Sequence, residues 1–547
     1  MMTDSQSAEA TLTRNRRIAV AALLVGAGFL ASKVTGILDD LILARIIGPG
    51  RELDAYYAAF SLPDLLFTLV AGGALASAFI PVLSGLIARD RAASWRLTSA
   101  VVSLAFLVTL CFAIGLALFA PWIADVLYGC HQGSAANEQC FTPEQVVLTA
   151  NLMRVILIST AIFSVSAVVM STLQAHQHFL LPALAPILYN LGILAGVILL
   201  APSIGVWGPA IGVVVGAVLH LLVQVPGLAR YGARWSPVLS LNDVLLRRVL
   251  KLLVPRVAGL GVVQLTFVMT TSLASQLSPG SVTVLNYAWR VMQLPETVIA
   301  TAVATAVFPT LSELAASGKI AELRATISST LRTILALTVP AAVGLIVLGR
   351  PFVRVLFEGG LFQASATDAV VWALQAYALG LIAHSMLEVC ARIFYAQQDT
   401  WTPLYVAAGA MIIVIAASLI LREAFGHAGL ALANSIGVSL EVLALLLIAG
   451  RRLRGIEGRR IAASLARFVA ASVVMGLAIA VSQVVFAKWP LPDGVSVSLT
   501  LRSALEIGIP FSIAAGVGML VYVVTALAMG SEELRALPRV VLRRHAA

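Results

Sequence analysis

With 547 residues, of which 60% are hydrophobic and 11% charged, and a mean hydropathy of +0.97, the chain is too apolar for a soluble protein of this size. Lys and Arg number 36 against 26 Asp and Glu, a net charge of +10; because the basic residues fall in alternate loops, membrane topology and not nucleic acid accounts for them. A soluble fold and a nucleic-acid partner are excluded, and an integral membrane protein is left.

The polar, basic lead over residues 3–17 is followed by an apolar run too long for the core of a signal peptide, so no cleavable signal is expected. Windows long enough to cross about 30 Å of hydrocarbon, about 20 residues each, occur at 18–47, 53–88, 96–127, 146–174, 180–201, 206–229 and 249–277. They continue at 281–313, 326–349, 366–396, 402–421, 428–450, 462–486 and 498–528, which makes fourteen. Basic clusters lie before the first window (Arg14, Arg16, Arg17) and after the second (Arg89, Arg91, Arg96), sixth (Arg230, Arg234, Arg247, Arg248, Lys251) and eighth (Lys319, Arg324). Others follow the twelfth (Arg451, Arg452, Arg454, Arg459, Arg460) and the fourteenth (Arg535, Arg539, Arg543, Arg544). All are termini or even-numbered loops, so the positive-inside rule places both termini in the cytoplasm and agrees with an even count. The last cluster reads as a juxtamembrane segment for anionic membrane lipids.

Two stretches repeat. Ala78-Phe-Ile-Pro-Val-Leu-Ser-Gly-Leu86 reads against Ala306-Val-Phe-Pro-Thr-Leu-Ser-Glu-Leu314. Ala175-His-Gln177 with Pro182 reads against Ala396-Gln-Gln398 with Pro403 at an offset of 221, which also aligns Gly208, Ala210, Gly216 and Leu219 with Gly429, Ala431, Gly437 and Leu440. The fold class expected is therefore an all-α integral membrane protein of about 14 transmembrane helices: two six-helix bundles in parallel repeat plus two C-terminal helices. The divisions fall at 1–17 (cytoplasmic tail), 18–229 (N-terminal bundle), 230–248 (linker), 249–450 (C-terminal bundle), 451–461 (loop), 462–528 (helices 13 and 14) and 529–547 (basic tail). Two such bundles are a transporter architecture working by alternating access.

Charge inside a bilayer is costly and marks function. Lys33, Asp39, Asp40, Arg45, Arg51, Glu52, Asp54 and Asp64 crowd the first two spans, where Pro63 and Gly72-Gly73 interrupt the helix, as Pro255 and Pro295 do in the seventh and eighth. Arg45 and Asp54, at the outer ends of the first two spans, are candidates for a gate. Asp64 after Pro63 reads as the cap of a restarted helix.

In span 10, Glu388 and Arg392 are four apart and most simply pair with each other, with His384 one turn before. Glu441 occupies the repeat position of His220. Together with Asn434 and Glu388 it is a candidate for coupling to Na⁺ or a proton. Cys111 and Cys390 read as apolar filler. Cys130 and Cys140 share one polar loop, which the orientation places outside, where a local disulfide is compatible with the compartment. No metal-ligand spacing, phosphate loop or nucleophile elbow is present, so neither an enzyme nor a cofactor is expected.

Ser32-Lys-Val-Thr-Gly36 with Asp40, Ala44-Arg45-Ile-Ile-Gly48, Asp54-Ala with Phe60-Ser-Leu-Pro63, and Ala78-Phe-Ile-Pro81 form one set of segments. Tyr287-Ala-Trp-Arg290, Phe308-Pro-Thr-Leu-Ser312, Phe357-Glu-Gly-Gly360, Phe394-Tyr-Ala-Gln-Gln-Asp399 with Thr402-Pro403, and His427-Ala-Gly-Leu430 form another. In this order they resemble the MurJ/MviN family of lipid II flippases, in the multidrug/oligosaccharidyl-lipid/polysaccharide exporter superfamily. The resemblance implies a bacterial cytoplasmic-membrane protein of peptidoglycan biosynthesis. Its fourteen spans would surround a cavity in which cations of spans 1, 2 and 8 hold the pyrophosphate of an undecaprenyl-linked glycan, the tail running by spans 13 and 14. The family's Ser-Arg-x-x-Gly-x-x-Arg-Asp stands here as Ser32-Lys33-x-x-Gly36-x-x-Asp39-Asp40, and its second-span arginine falls near Phe67 or Thr68. Carried over, the substrate-binding residues are Lys33 and Arg290, joined by Arg256, with Asp39 and Asp40 beside them. Two alternatives stand next to lipid II transport: export of another polyprenyl-linked glycan or a cation-coupled multidrug-type antiport, and a non-transporting scaffold for cell-wall synthesis proteins.

Overall fold

The computed structural model describes residues 28, 30–70, 73–87, 89–130, 140–236, 243–486 and 499–535. Among them the regular elements are helices, with isolated backbone bridges at Gly129–Phe141 and Gly359–Phe362. The chain packs as two units, the first ending at Gly280 and the second beginning at Ser281. The first holds α1 (30–46), α2 (Arg51–Val70), α3 (Gly73–Ile87), α4 (Arg91–Tyr128), α5 (Pro143–Ala175), α6 (Leu180–Ala195), α7 (Ala201–Ile204), α8 (Trp207–Leu222), α9 (Val225–Arg230) and α10 (Val244–Ala274). The second holds α11 (Ser281–Glu296), α12 (Ala302–Ala316), α13 (Ile320–Phe357), α14 (Ala364–Ala396), α15 (Trp401–Arg452), α16 (Gly458–Phe486) and α17 (Leu499–Ala528).

Twelve helical stretches among the described residues are long and apolar enough to cross a membrane. One of them, α15, has 52 residues, about 78 Å at 1.5 Å per residue and more than twice a bilayer core. It folds back at Gly426, whose φ of 56° and ψ of −133° are not helical. A Cβ at Gly429 would meet the carbonyl of Leu421 and one at Gly437 would meet Val414, so the two halves run antiparallel. The first unit makes the same turn. Gly205, with φ of 58° and ψ of −136°, separates α6 and α7 from α8; Gly212 lies against Ile193 and Gly216 against Tyr189. The offset of 221 residues relates Gly205 to Gly426, and likewise Gln177 to Gln398, both at positive φ. The repeat seen in the sequence is thus a repeat of backbone conformation. Small residues on the facing sides of α6 and α8 let the two backbones touch, the usual way helices associate when lipid removes the hydrophobic drive.

Local chemistry sets the helix ends. Asp90 accepts from the Ala93 N–H at 2.8 Å, Asp243 caps α10 at Leu245, and Thr142 with Gln145 forms a capping box around Pro143. Pro63 does not interrupt α2, which is continuous from Arg51 to Val70, so Asp64 caps no restarted helix there. Pro295 behaves as expected of a residue lacking an N–H: a π-turn at Thr297–Thr301 follows it directly.

Burial separates inner from outer helices. The apolar window is 61% buried in α5, 56% in α14 and 50% in α13, against 22% in α4 and 17% in α17. Leu118, Leu199 and Val484 are more than two-thirds exposed, which is intelligible only toward lipid. Within α5, Ser164, Ser171 and Thr172 return their hydroxyls to carbonyls of their own helix and so cost little at this depth. Helix α10 packs on α2, α3 and α4 of the first unit, with Gln264 donating to Thr68 at 2.7 Å and Ser272 to the Leu127 carbonyl at 2.5 Å.

In the second unit α16 and α17 pack on α13, where Phe468, Ala471, Met475 and Tyr522 join Ile334 and Leu335 in one buried cluster. The Tyr522 hydroxyl donates to the Ala336 carbonyl. Below it Arg332 binds Glu533 at 2.8 Å, and Glu533 also accepts from Ser464 and Ser531.

Candidate functional site

The Ser32–Gly36 motif is held by a residue that no pattern in the sequence singles out. Asn190 of α6 donates to the Ser32 carbonyl at 2.7 Å and to the Thr35 hydroxyl at 2.9 Å, and a Cβ at Gly36 would lie 3.5 Å from its amide. Ser32, Thr35 and Gly36 share a helical stripe, so this contact turns Lys33 away from α6, and Lys33 is exposed. Asp39 and Asp40 are 6% and 7% exposed. Asp39 continues the Asn190 stripe and Asp40 the Lys33 stripe, and exposure falls along the latter between its two charges.

Arg45 is half-buried near the end of α1. Asp54 is 2% exposed and accepts from the Gly280 N–H at 2.6 Å. Gly280, at φ of 93°, sits against Pro49 and Gly50, so Asp54 anchors the turn that closes the first unit. The neighbouring start of α2 is stitched to α5 by Gln145 donating to the Arg51 carbonyl at 2.9 Å. Arg256 falls on α10, but its side chain lies outside the described residues.

In the second unit Arg290 is exposed. Its neighbours fix that orientation, because Tyr287 packs on Phe357 and Phe362 and Trp289 meets Tyr377 and His384 edge-on. His384 shares a hydrogen bond of 3.0 Å with Asn434. One turn on, Glu388 pairs with Arg392 at 2.5 Å, as their spacing predicts. The second half of α15 runs parallel to α14: His427 meets the Ala369 carbonyl, Asn434 meets His384, and Arg452 meets Asp399. Glu441 therefore falls at the level of Glu388 and Arg392. Asn434 and Glu388 are thus engaged by His384 and Arg392, with Glu441 beside them. In the first unit the equivalent position, His220, is held by Ser166 at 2.7 Å, which Gln224 supports at 2.9 Å.

The turns at Gln177 and Gln398 are clasped differently. His176 lies between Trp95 and Tyr231, and Arg91 donates to the Tyr231 carbonyl. At the equivalent place Asp399 takes an ion pair from Arg452, the Thr402 hydroxyl, and the N–H groups of Trp401 and Thr402. Burial raises the Asp399 pKa, but the Thr402 and Arg452 hydrogen bonds outweigh it and hold the carboxyl at about 2 against its usual 3.8. A depressed carboxylate contributes stability that is complete above the unfolded value and lost as pH falls through the folded one. The difference in melting temperature between wild type and Asp399→Asn should therefore be constant above about pH 5 and shrink below it; an unchanged difference near pH 2 would remove the clasp.

Cys130 and Cys140 are joined by a disulfide, with 5.6 Å between their Cα atoms. No group of three or more His, Cys, Asp or Glu arranged for a metal occurs among the described residues.

Lipid-facing outer helices, a few ionisable residues on inner ones, and the same glycine-turned hairpin in each unit define a multi-pass transport protein built on a repeated helical bundle. The profile described as "Lipid II flippase MurJ" matches residues 43–498. The lipid II flippase MurJ of Burkholderia cenocepacia is 33% identical over 446 residues, which covers 80% of this chain and 84% of that protein. A probable lipid II flippase MurJ from Rhizobium tropici is 28% identical over 536 residues, or 96% and 97% of the two chains. Among solved structures, "Lipid II flippase MurJ, inward closed conformation" superposes with a TM-score of 0.74 at 24% identity, covering 93% of this chain and 98% of that one. An inward-facing multidrug resistance MATE transporter of the MOP superfamily gives 0.63 at 17% identity, covering 78% and 96%. The chain belongs to the lipid II flippase MurJ family. It is a multi-pass protein of the bacterial inner membrane.

Proposed function

We propose that this chain carries lipid II across the cytoplasmic membrane by alternating access, with Lys33 and Arg290 as the cations that receive its pyrophosphate. The observation that carries the reading is that these two residues are exposed on otherwise lipid-compatible helices, while the acids that would repel such a cargo, Asp39 and Asp40, are buried. A pyrophosphate leaving water needs charge-assisted donors in place of its hydration. The transport breaks no covalent bond. Coupling is assigned to Glu441, at the level of the Glu388–Arg392 pair and the His384–Asn434 hydrogen bond.

The experiment is reconstitution of the full chain in vesicles with labelled lipid II, under an imposed Na⁺ or proton gradient. Wild type is expected to move lipid II and to respond to one of the two gradients, and Glu441→Gln is expected to move it with that response lost. Absence of lipid II movement under every gradient rejects the function; an unchanged gradient response in Glu441→Gln rejects the coupling alone.

Both termini are assigned to the cytoplasm. The alternate basic loops support this, as does the Cys130–Cys140 disulfide, because such bonds persist in the periplasm and not in the cytosol. An impermeant thiol reagent applied to reduced, intact spheroplasts should label Cys130 and Cys140; labelling only after lysis would reverse the orientation.

A further inference from the structure

The first unit contains an apolar crevice that the proposed transport does not use. It is a cavity of about 450 Å³ between α2, α3, α4 and α10, and all its described lining residues are Leu, Val, Ala or Phe, with Leu66, Ala105 and Val249 among the buried ones. At its rim Phe112 is 60% exposed. Phe112 and Leu116 also belong to a shallower depression of about 350 Å³ on α4, which continues past Gly115 to Phe119 and Trp122. The two form one groove along α4 from Val101 to Trp122, about 30 Å of helix axis and so about the depth of a bilayer core.

The groove is continuous with the lipid-facing side of α4, where Phe106, Leu107 and Leu118 are exposed. Water there would forfeit hydrogen bonds, and a peptide strand would leave its backbone unsatisfied. A hydrocarbon chain fits on every count. Charge adds the other half of the ligand. The first turns of α10 place Leu246, Val249, Leu250 and Leu253 in the crevice wall, and the adjoining faces of those turns carry Arg248 and Lys251, both exposed. One acid, Asp243, lies at the start of this helix and is engaged in capping it.

We propose that the crevice between α2, α4 and α10 binds an anionic bilayer phospholipid, one acyl chain lying in the groove and its phosphate meeting Arg248 and Lys251. This site is separate from the cargo site and does not depend on what the cargo is. The test uses the full chain in detergent with phosphatidylglycerol carrying a photoreactive diazirine at mid-chain, followed by mapping of the labelled peptides. Label is expected to concentrate on α4 between Val101 and Trp122 and on the facing turns of α2 and α10. It should fall about tenfold with Arg248→Gln/Lys251→Gln and about tenfold when phosphatidylcholine carries the same chain. Ala105→Trp, which fills the crevice floor, should remove the label from the crevice. The charge variants lie on exposed residues and keep the test decisive if Ala105→Trp does not fold. Even labelling of all lipid-facing helices, or equal labelling by phosphatidylcholine, overturns the proposal. So does labelling of the crevice by a polyprenyl phosphate probe that excess phosphatidylglycerol does not displace, which would give the groove to a cargo tail.

Discussion

Replacing Arg290 with alanine is expected to reduce lipid II transport about a hundredfold in reconstituted vesicles, at equal protein per vesicle. A hydrogen bond to a charged group contributes about 1.5–3 kcal/mol, and a guanidinium offers two such bonds to one phosphate group. Losing them where the anion has left bulk water raises the barrier by about 2.7 kcal/mol, two factors of ten. Arg290→Lys keeps the charge without the fork and should recover part of the rate. Lys33 gives the opposite comparison. Lysine stands there in place of the arginine of the family pattern, so Lys33→Ala should lower transport while Lys33→Arg should leave it intact or raise it. Wild-type transport by the Lys33→Ala/Arg290→Ala double variant would take both residues out of the cargo site.

Asn190 shows why Lys33 was legible in the sequence while its setting was not. A lysine in an apolar run stands out by cost alone. The contact that orients it comes from α6, more than 150 residues away, and one asparagine in a lipid-compatible helix carries no periodic signal. Asp54 is similar. Its charge makes it a gate candidate, and the Gly280 N–H from which it accepts is a long-range partner that no spacing rule reaches.

Features that depend on local sequence came through more fully. The offset of 221 residues was readable from Pro182 and Pro403 and from Gly208 and Gly429, because positions that need a proline or a glycine keep a visible residue type. It reappears in the dihedral angles of Gly205 and Gly426. The Glu388–Arg392 pair was readable because four residues make one turn. The repeat also predicts that the helix around 249–277 opens the second copy; by packing, α10 lies with α2, α3 and α4 in the first unit. Sequence repetition reports how the chain was built, and packing is decided by which apolar faces and polar pairs meet, here Gln264 with Thr68 and Ser272 with Leu127.

Arg332→Ala is expected to be the most destabilising single change among the ion pairs. The Arg332 and Glu533 side chains are 15% and 5% exposed and 2.8 Å apart; removing one partner of a buried pair leaves an uncompensated charge and costs about 3–5 kcal/mol. Glu533→Gln keeps neutral hydrogen bonding to Ser464 and Ser531 and should cost less. The double variant Arg332→Met/Glu533→Leu should recover most of the loss, because burying an ion pair gains little over burying apolar groups of similar size. Burial raises the Glu533 pKa, but hydrogen bonds from its own N–H and Ser531 and the charge of Arg332 more than offset it, so the carboxyl lies below its usual value of 4.5. The contribution of the pair is therefore complete above that value and lost as pH falls through the lower, folded one. Thermal unfolding of the purified chain in detergent, with intrinsic fluorescence as readout, measures all three variants. The order expected is Arg332→Ala below Glu533→Gln below the double variant. A double variant as unstable as Arg332→Ala would mean that α16 and α17 are held to α13 by the geometry of these two side chains, and not by the balance of their charges.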